Sequence, residues 1–168
     1  MKIREYRVTD NEGIFQLFYD TVHTVNAKDY TKEQLDVWAR KDVDISSWCV
    51  PFLTDYAVVM EDENRIVGFG NIMEDENRIV GFGNITDSGY IDRLFTHRKA
   101  QGKGVGGRIS DCLEQHAWTH GVTKITVYAS ITARPFFEKR GYSLVRENDV
   151  RRGNETLINY LMEKNLAQ

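Results

Sequence analysis

Between positions 101 and 108 the chain reads Gln-Gly-Lys-Gly-Val-Gly-Gly-Arg, a spacing suited to one kind of chemistry. Glycine lacks a Cβ, so the backbone N–H groups around Gly102, Gly104, Gly106 and Gly107 can close on a ligand. Apolar residues Ile109, Cys112, Leu113 and Ala117 predict a helix from Val105 to Trp118, stopped by Gly121. A helix start offers unpaired N–H groups and the positive end of its dipole, and together these bind phosphate. His97, Arg98, Lys99, Lys103 and Arg108 add local positive charge to a chain whose net charge is −3. The plain alternative is a glycine-rich connection beside a solvated basic face. Against it, glycines opening a helix only destabilise it unless a ligand uses them.

Other chemistry-bearing residues are sparser. Asp92 stands on a predicted strand, Tyr90–Phe95, that runs toward the glycine segment. Its alternative reading is a strand carboxylate paired with a nearby Lys or Arg. His23 falls on a predicted first helix, while His116 and His120 read as structural. Cys49 and Cys112 lie far apart with no CxxC and no His in ligand spacing, so two reduced thiols and no metal are expected. The acidic balance and a pI near 5.8 argue against nucleic acid or an anionic membrane as partner. No apolar run approaches the ~18 residues of a membrane span, and the first residues lack an apolar leader; a cytoplasmic protein is expected.

At 168 residues the chain fits one domain, 1–168, able to bury a real core. Lys2–Arg7 reads as a strand, followed by a helix capped by Thr9 or Asp10 and carrying Ile14, Leu17, Phe18 and Val22. Thr31-Lys32-Glu33-Gln34 is a capping box opening a second helix with Leu35 and Trp38. Ile45–Leu53 reads as a helical turn or two interrupted by Pro51. Strands follow at Tyr56–Met60, Ile66–Phe69 and Tyr90–Phe95. After the glycine-led helix come a strand at Lys124–Ala129, a short helix at Ala133–Lys139, and an antiparallel pair at Tyr142–Val145 and Thr156–Met162. Such mixed order predicts an α/β or α+β fold with a mixed sheet.

Met60–Ile72 is repeated without change as Met73–Ile85. Two copies are too few and too short for a solenoid. Each copy supplies one turn and one strand, and one extra strand in a meander would reverse every strand after it. One copy is therefore expected to fill the sheet position, with the other a protruding loop or a pairing surface that leaves a homodimer open. Both carry the same local information, so the sequence does not choose between them.

The ligand of the glycine segment has three readings. Gly102-Lys103-Gly104-Val105-Gly106-Gly107 satisfies the dinucleotide pattern G-x-G-x-x-G. In that fold the first glycine follows its strand directly, whereas Thr96–Gln101 intervene here, and no acidic residue ends the strand at Lys124–Ala129. A Walker A loop fails for want of Gly-Lys-Ser/Thr at the required spacing. The segment instead resembles the Gln/Arg-x-x-Gly-x-Gly/Ala signature of the GNAT acetyltransferase superfamily, with Gln101, Gly104 and Gly106 at its defining positions. Tyr90–His97 is similar to the family's central strand, and Ser130–Tyr142 to its late helix.

That resemblance implies a mixed, mostly antiparallel sheet flanked by helices, and an acetyl-CoA-dependent N-acetyltransferase acting by direct transfer in a ternary complex. The acceptor would be a primary amine of a small molecule or peptide. It also implies cofactor contacts at Leu94, Phe95, Thr96, Gln101, Gly102, Lys103, Gly104, Val105, Gly106, Ala133 and Phe136. A backbone N–H near Leu94 or Phe95 would face the developing oxyanion. Asp92 is the nearest candidate base. The position where relatives carry a proton-donating tyrosine is Phe137, and their asparagine is Ser130; Ser130, Tyr142 or a water is left as the acid, unless the thiolate departs unaided. The gap at Phe137 keeps a rival open, a catalytically silent acyl-CoA-binding module. His23, Tyr30 and Trp38, with Trp48 and Phe52, are the expected acceptor-pocket residues, each with core packing as its alternative.

Overall fold

The computed structural model describes residues 1–62 and 78–166. Its strands are β1 (Lys2–Glu5), β2 (Tyr56–Asp62), β3 (Arg78–Ile85), β4 (Tyr90–Thr96), β5 (Lys124–Ser130), β6 (Ser143–Arg152) and β7 (Glu155–Asn165). Its helices are α1 (Asn11–Thr24), α2 (Lys32–Trp38), α3 (Ile45–Cys49), α4 (Pro51–Thr54), α5 (Val105–Thr119) and α6 (Arg134–Lys139). The strands form one sheet in the order β1-β2-β3-β4-β5-β7-β6, antiparallel everywhere except between β4 and β5. That parallel pair needs a crossover, and α5 provides it. The fold is thus the expected mixed α/β arrangement.

Local chemistry accounts for the elements. Thr31 Oγ1 accepts the Gln34 N–H and the Gln34 side chain accepts the Thr31 N–H, the reciprocal capping expected at α2. Pro51 ends α3 and opens α4, so the expected interrupted helix is two short ones. β6 and β7 are far longer than the expected Tyr142–Val145 and Thr156–Met162. β6 is exposed on both sides, so its sequence (Arg146-Glu147-Asn148-Asp149-Val150) carries no alternation to mark it.

The core has two layers, one on each side of the sheet. β2 is buried along its centre, with Val58 and Met60 facing the α5 layer and Ala57 and Val59 facing the α1–α4 layer. On α5, Ile109 and Leu113 are fully buried, each worth about 1.5–3 kcal/mol of burial. They approach β3 closely because Gly81 has no side chain: a Cβ there would meet Val105 at 2.6 Å and Ile109 at 2.7 Å. This contact seats the N-terminus of α5 against the sheet.

The strand slot between β2 and β4 is filled by the second copy of the duplication, Arg78–Ile85. The corresponding strand of the first copy, expected at Ile66–Phe69, and the expected loop or pairing role of the spare copy lie outside the described residues. Asp62 faces Arg78 in the β2–β3 register, so every later strand keeps the direction that a single copy would give it.

Candidate active site

β4 carries an irregularity that builds the site. Asn84 faces Arg93 and Ile85 faces Ile91, which leaves Asp92 as an extra residue in a β-bulge. The pairing of β4 with β5 is confined to Tyr90↔Thr126 and Ile91↔Val127. Beyond it the strands part, and a cleft of about 700 Å³ opens between them. At one end of this cleft lie Gln101, Gly102 and Gly104–Gly107. Its middle is walled by Leu94, Phe95, Thr96, Ala129, Ser130, Ala133 and Phe136, and its far end by Phe18, Trp38, Trp48, Asp92 and Arg93.

At the glycine end, Gly104 caps α5 in the left-handed region at φ +77°, a conformation other residues adopt only with strain. The N–H groups of Gly104, Val105, Gly106 and Gly107 precede the first intrahelical bond, Arg108 N–H to Gly104 C=O at 3.0 Å. A Cβ on Gly104 would meet nothing within 4 Å, so packing does not demand glycine there; the backbone conformation does. A Cβ on Gly106 would come within 3.3 Å of Thr96 Oγ1 and 3.5 Å of Phe136, filling the cradle. These residues can hold a pyrophosphate on main-chain donors. The Gln101 side chain braces the loop by donating to Thr96 C=O at 2.7 Å.

Lys103 departs from expectation: it does not line the cleft, and its N–H turns back to Ala100 C=O. His97 is buried, with Nδ1 accepting the Lys99 N–H, because it caps the turn at Arg98–Ala100.

Strand parity decides which N–H faces the gap. His97 N–H donates to Val80 C=O on β3, so hydrogen-bonded pairing alternates through Phe95↔Phe82 and Arg93↔Asn84. The backbone groups of Leu94 and Thr96 therefore point away from β3, into the parted strands. Of the two N–H groups only that of Leu94 faces the gap; Phe95 N–H is turned to β3, which corrects the expectation that either could serve. The Phe95 ring instead packs against Phe82 and Phe18. Thr96 C=O is already engaged by Gln101 and by Thr21 Oγ1 at 3.3 Å.

Asp92 lies at the far end of the cleft from the glycine loop, 3.4 Å from Asn84 Nδ2 and 3.5 Å from Arg93 Nη1. Asn84 is itself held by Asp55 at 2.7 Å. Arg93 stacks on the Trp48 ring at 4.3 Å and the Phe52 ring at 5.1 Å. Burial draws its pKa down from the ordinary value while Asp92 opposes that. Tyr90 lines the same wall, its hydroxyl pushed up to about 12 by burial and by Asp92.

Across the gap, Ser130 Oγ accepts the Ala133 N–H at 3.1 Å and the Asn26 side chain at 3.4 Å. Its own proton remains available to donate. Tyr142 is not beside the cleft. Its hydroxyl donates to Glu114 at 3.1 Å, and burial with that neighbouring carboxylate raises its pKa. Phe137 is buried, edge-on to Tyr142 and Phe136.

Of the expected acceptor residues, Trp38 and Trp48 line the cleft. Tyr30 lines it with its ring, but its hydroxyl is committed to Ile158 C=O at 2.7 Å and to Ile131 N–H at 2.9 Å, tying β7 to the turn before α6. His23 is a correction. It stacks on Tyr19 and contacts Asp36 at 3.3 Å, on the surface of α1 away from the cleft. Phe52 is core, beneath Arg93. Sequence reasoning did not single out Arg93, Arg152, Tyr128 or Asn159, all on the cleft wall. One signal for Arg93 was present: two adjacent charges, Asp92-Arg93, break the alternation of an otherwise apolar strand. Among the described residues no cluster of His, Cys, Asp or Glu could hold a metal, and no helix is long and apolar enough to cross a membrane.

Comparison with known proteins agrees with this geometry. A family model described as the acetyltransferase (GNAT) domain matches residues 69–164. The uncharacterized N-acetyltransferase YafP of Escherichia coli K12 is 26% identical over 162 residues, covering 96% of this chain and 94% of that protein. A GCN5-related N-acetyltransferase from Rhodopseudomonas palustris superposes with a TM-score of 0.86 at 28% identity, over 98% of this chain and 95% of that one. The PaiA N-acetyltransferase from Thermoplasma acidophilum, in complex with coenzyme A, shares the fold at a TM-score of 0.71 and 15% identity, over 98% of each chain.

Proposed function

The chain belongs to the GNAT acetyltransferase family, and from that premise we propose that it moves an acetyl group from acetyl-CoA directly onto a primary amine of a small molecule or peptide. The observation that carries this reading is one continuous cleft joining the glycine loop, the parted strands and Asp92. The coenzyme A complex of the Thermoplasma protein supports the choice of cosubstrate. Acetyl-CoA would supply an acyl group activated as a thioester. The residues fit it: Gly104–Gly107 offer N–H groups to a pyrophosphate, and the backbone of Leu94 is free to pair with an amide in the gap.

Asp92 takes a proton from the acceptor ammonium, directly or through water, since only the free amine has a lone pair. The amine nitrogen forms its bond to the acetyl carbon as the carbon–sulfur bond breaks. Leu94 N–H donates to the carbonyl oxygen as charge collects there. The departing electron pair resides on sulfur, which leaves as thiolate or takes the Ser130 hydroxyl proton, while the second proton shed by the acetylated nitrogen restores Ser130 or passes to water. Phe137 has no proton to give, and Tyr142 is spent on Glu114.

Phe137 favours one rival, a module that binds acyl-CoA without turnover. Calorimetry with CoA, NAD and NADP, followed by thiol release over a panel of amines, separates the readings. Tight binding of CoA alone with acceptor-dependent thiol release is expected. Binding without release on any amine would support the silent module, and binding of NAD in place of CoA would overturn both.

A further inference from the structure

Arg93 is an unusual residue to find on a catalytic strand. Its guanidinium lies over the Trp48 and Phe52 rings, and Nη1 is buried with no hydrogen-bond partner among the described residues. The nearest anion, Asp92, is at ion-pair distance without the geometry of a hydrogen bond. A buried guanidinium edge left unsatisfied is costly, and a bidentate oxyanion satisfies it best. The charged residues lining the cleft are Asp92, Arg93 and Arg152, two cations to one anion, with Asp55 behind them also acting on Arg93. Arg93, Arg152 and Asp92 all act electrostatically on the Tyr90 hydroxyl on the same cleft wall. This surplus lies at the far end of the cleft from the glycine loop and is not needed for a pyrophosphate.

We propose that the acceptor is a zwitterionic amino acid with an apolar side chain, its amine directed to Asp92 and its carboxylate bound by Arg93. The inference rests on the acetyltransferase reading above. Spacing narrows the class: Asp92 Oδ2 and Arg93 Nη1 are 3.5 Å apart, so the ligand's amine and carboxylate are separated by one or two carbons. The aromatic wall of Phe18, Trp38 and Trp48 accepts the apolar side chain. Arg152, exposed at the rim, attracts the anion without holding it.

Matched acceptors test the proposal. Thiol release from acetyl-CoA is measured with L-phenylalanine, its methyl ester and phenethylamine, and with L-leucine and isoamylamine. The acids should exceed their partners about 10- to 100-fold in kcat/KM, mostly through KM, because a charge-assisted bidentate contact is lost with the carboxylate. In Arg93→Gln that ratio should fall to about one, with Arg93→Lys between. Equal or better use of the amines by the native enzyme would overturn the proposal. So would an Arg93→Gln protein that is less stable but keeps the ratio, since Arg93 would then be only a core cation. If no acceptor is turned over, it is the transfer reading that fails. Carboxylate recognition is then judged by calorimetry on the CoA complex: N-acetyl-L-phenylalanine should bind about tenfold or more tighter than N-acetylphenethylamine, and equal binding would sink the inference.

Discussion

Asp92 Oδ2 and Arg93 Nη1 lie 3.5 Å apart although the two residues are consecutive on one strand. Neighbours on a regular strand point to opposite faces. Here the bulge between the Asn84↔Arg93 and Ile85↔Ile91 pairs turns both side chains toward the α1–α4 layer. The same bulge coincides with the last β4–β5 pair, Ile91↔Val127. A single extra residue thus sits where the strands part and brings a carboxylate and a guanidinium together on the cleft wall.

Because Asp92 contacts Asn84 and Arg93 at the far end of the cleft and none of its contacts extends to the glycine loop, its loss should affect chemistry and not cofactor binding. Asp92→Asn is expected to lower kcat by about 10²- to 10⁴-fold, the usual contribution of a general base. Calorimetric affinity for CoA should stay within about twofold, since no pyrophosphate contact is touched. An unchanged kcat would remove Asp92 from the mechanism.

The glycine loop admits a test with an internal control. Gly104 and Gly121 both have φ near +80° and both leave open space where a Cβ would stand, but they lie at opposite ends of α5. Aspartate at either position incurs a similar backbone strain, about 1 kcal/mol. Only Gly104→Asp sets a negative charge against the pyrophosphate, so CoA affinity should drop about 10²-fold or more there. Gly121→Asp should bind normally. Equal losses in both variants would mean that strain, and not the phosphate cradle, explains the effect.

Features decided by nearest neighbours in sequence were legible. The glycine loop, the span of α5 and the Thr31–Gln34 capping box depend on contacts within a few residues. The bulge was not, because it exists only in the register between β4 and β3, a long-range property. His23 shows the same limit: helical spacing placed it on α1, but Asp36 and Tyr19 decide which way it faces. Sequence also had no means of choosing between identical copies of the repeat. The register chose, by pairing Arg78–Ile85 with β2.

That choice yields a deletion experiment. Asp62 faces Arg78 across β2 and β3, and removing residues 63–75 would join them through Glu76-Asn77 alone, a two-residue hairpin connection in unchanged register. Removing either whole copy gives the same chain, because the repeat is perfect. The shortened connection should stabilise the fold by about 1–2 kcal/mol, because fewer residues lie between the paired ends, less any strain in the turn. Melting temperature should rise by roughly 2–8 °C, with CoA affinity retained. A shortened protein that no longer folds would show that the register seen here is not the one the single copy adopts.

Beneath α5, Glu114 gathers donors from three other elements or turns: Lys164 Nζ at 2.6 Å, Arg140 Nη2 at 3.0 Å and Tyr142 Oη at 3.1 Å, with Ser110 Oγ at 3.0 Å on its own helix. Burial alone would raise its carboxyl, but the hydrogen bonds from Lys164 and Arg140 outweigh burial and hold it below the ordinary 4.5. A carboxylate depressed in the folded state contributes stability that is complete above its unfolded value and is lost as pH falls through the folded one. The native protein should therefore lose stability as pH drops below about 4.5, and part of that loss should be absent in Glu114→Ala. At neutral pH this variant strands Lys164, while Arg140 keeps Asp111 at 2.7 Å, and it should be less stable by about 2–3 kcal/mol. That is less than a fully buried pair would cost, because Arg140 and Lys164 remain 18% and 25% exposed. Melting curves of both proteins between pH 3 and 7 should converge at the acid end. Parallel curves across the whole range would mean that Glu114 acts through packing and not through its charge.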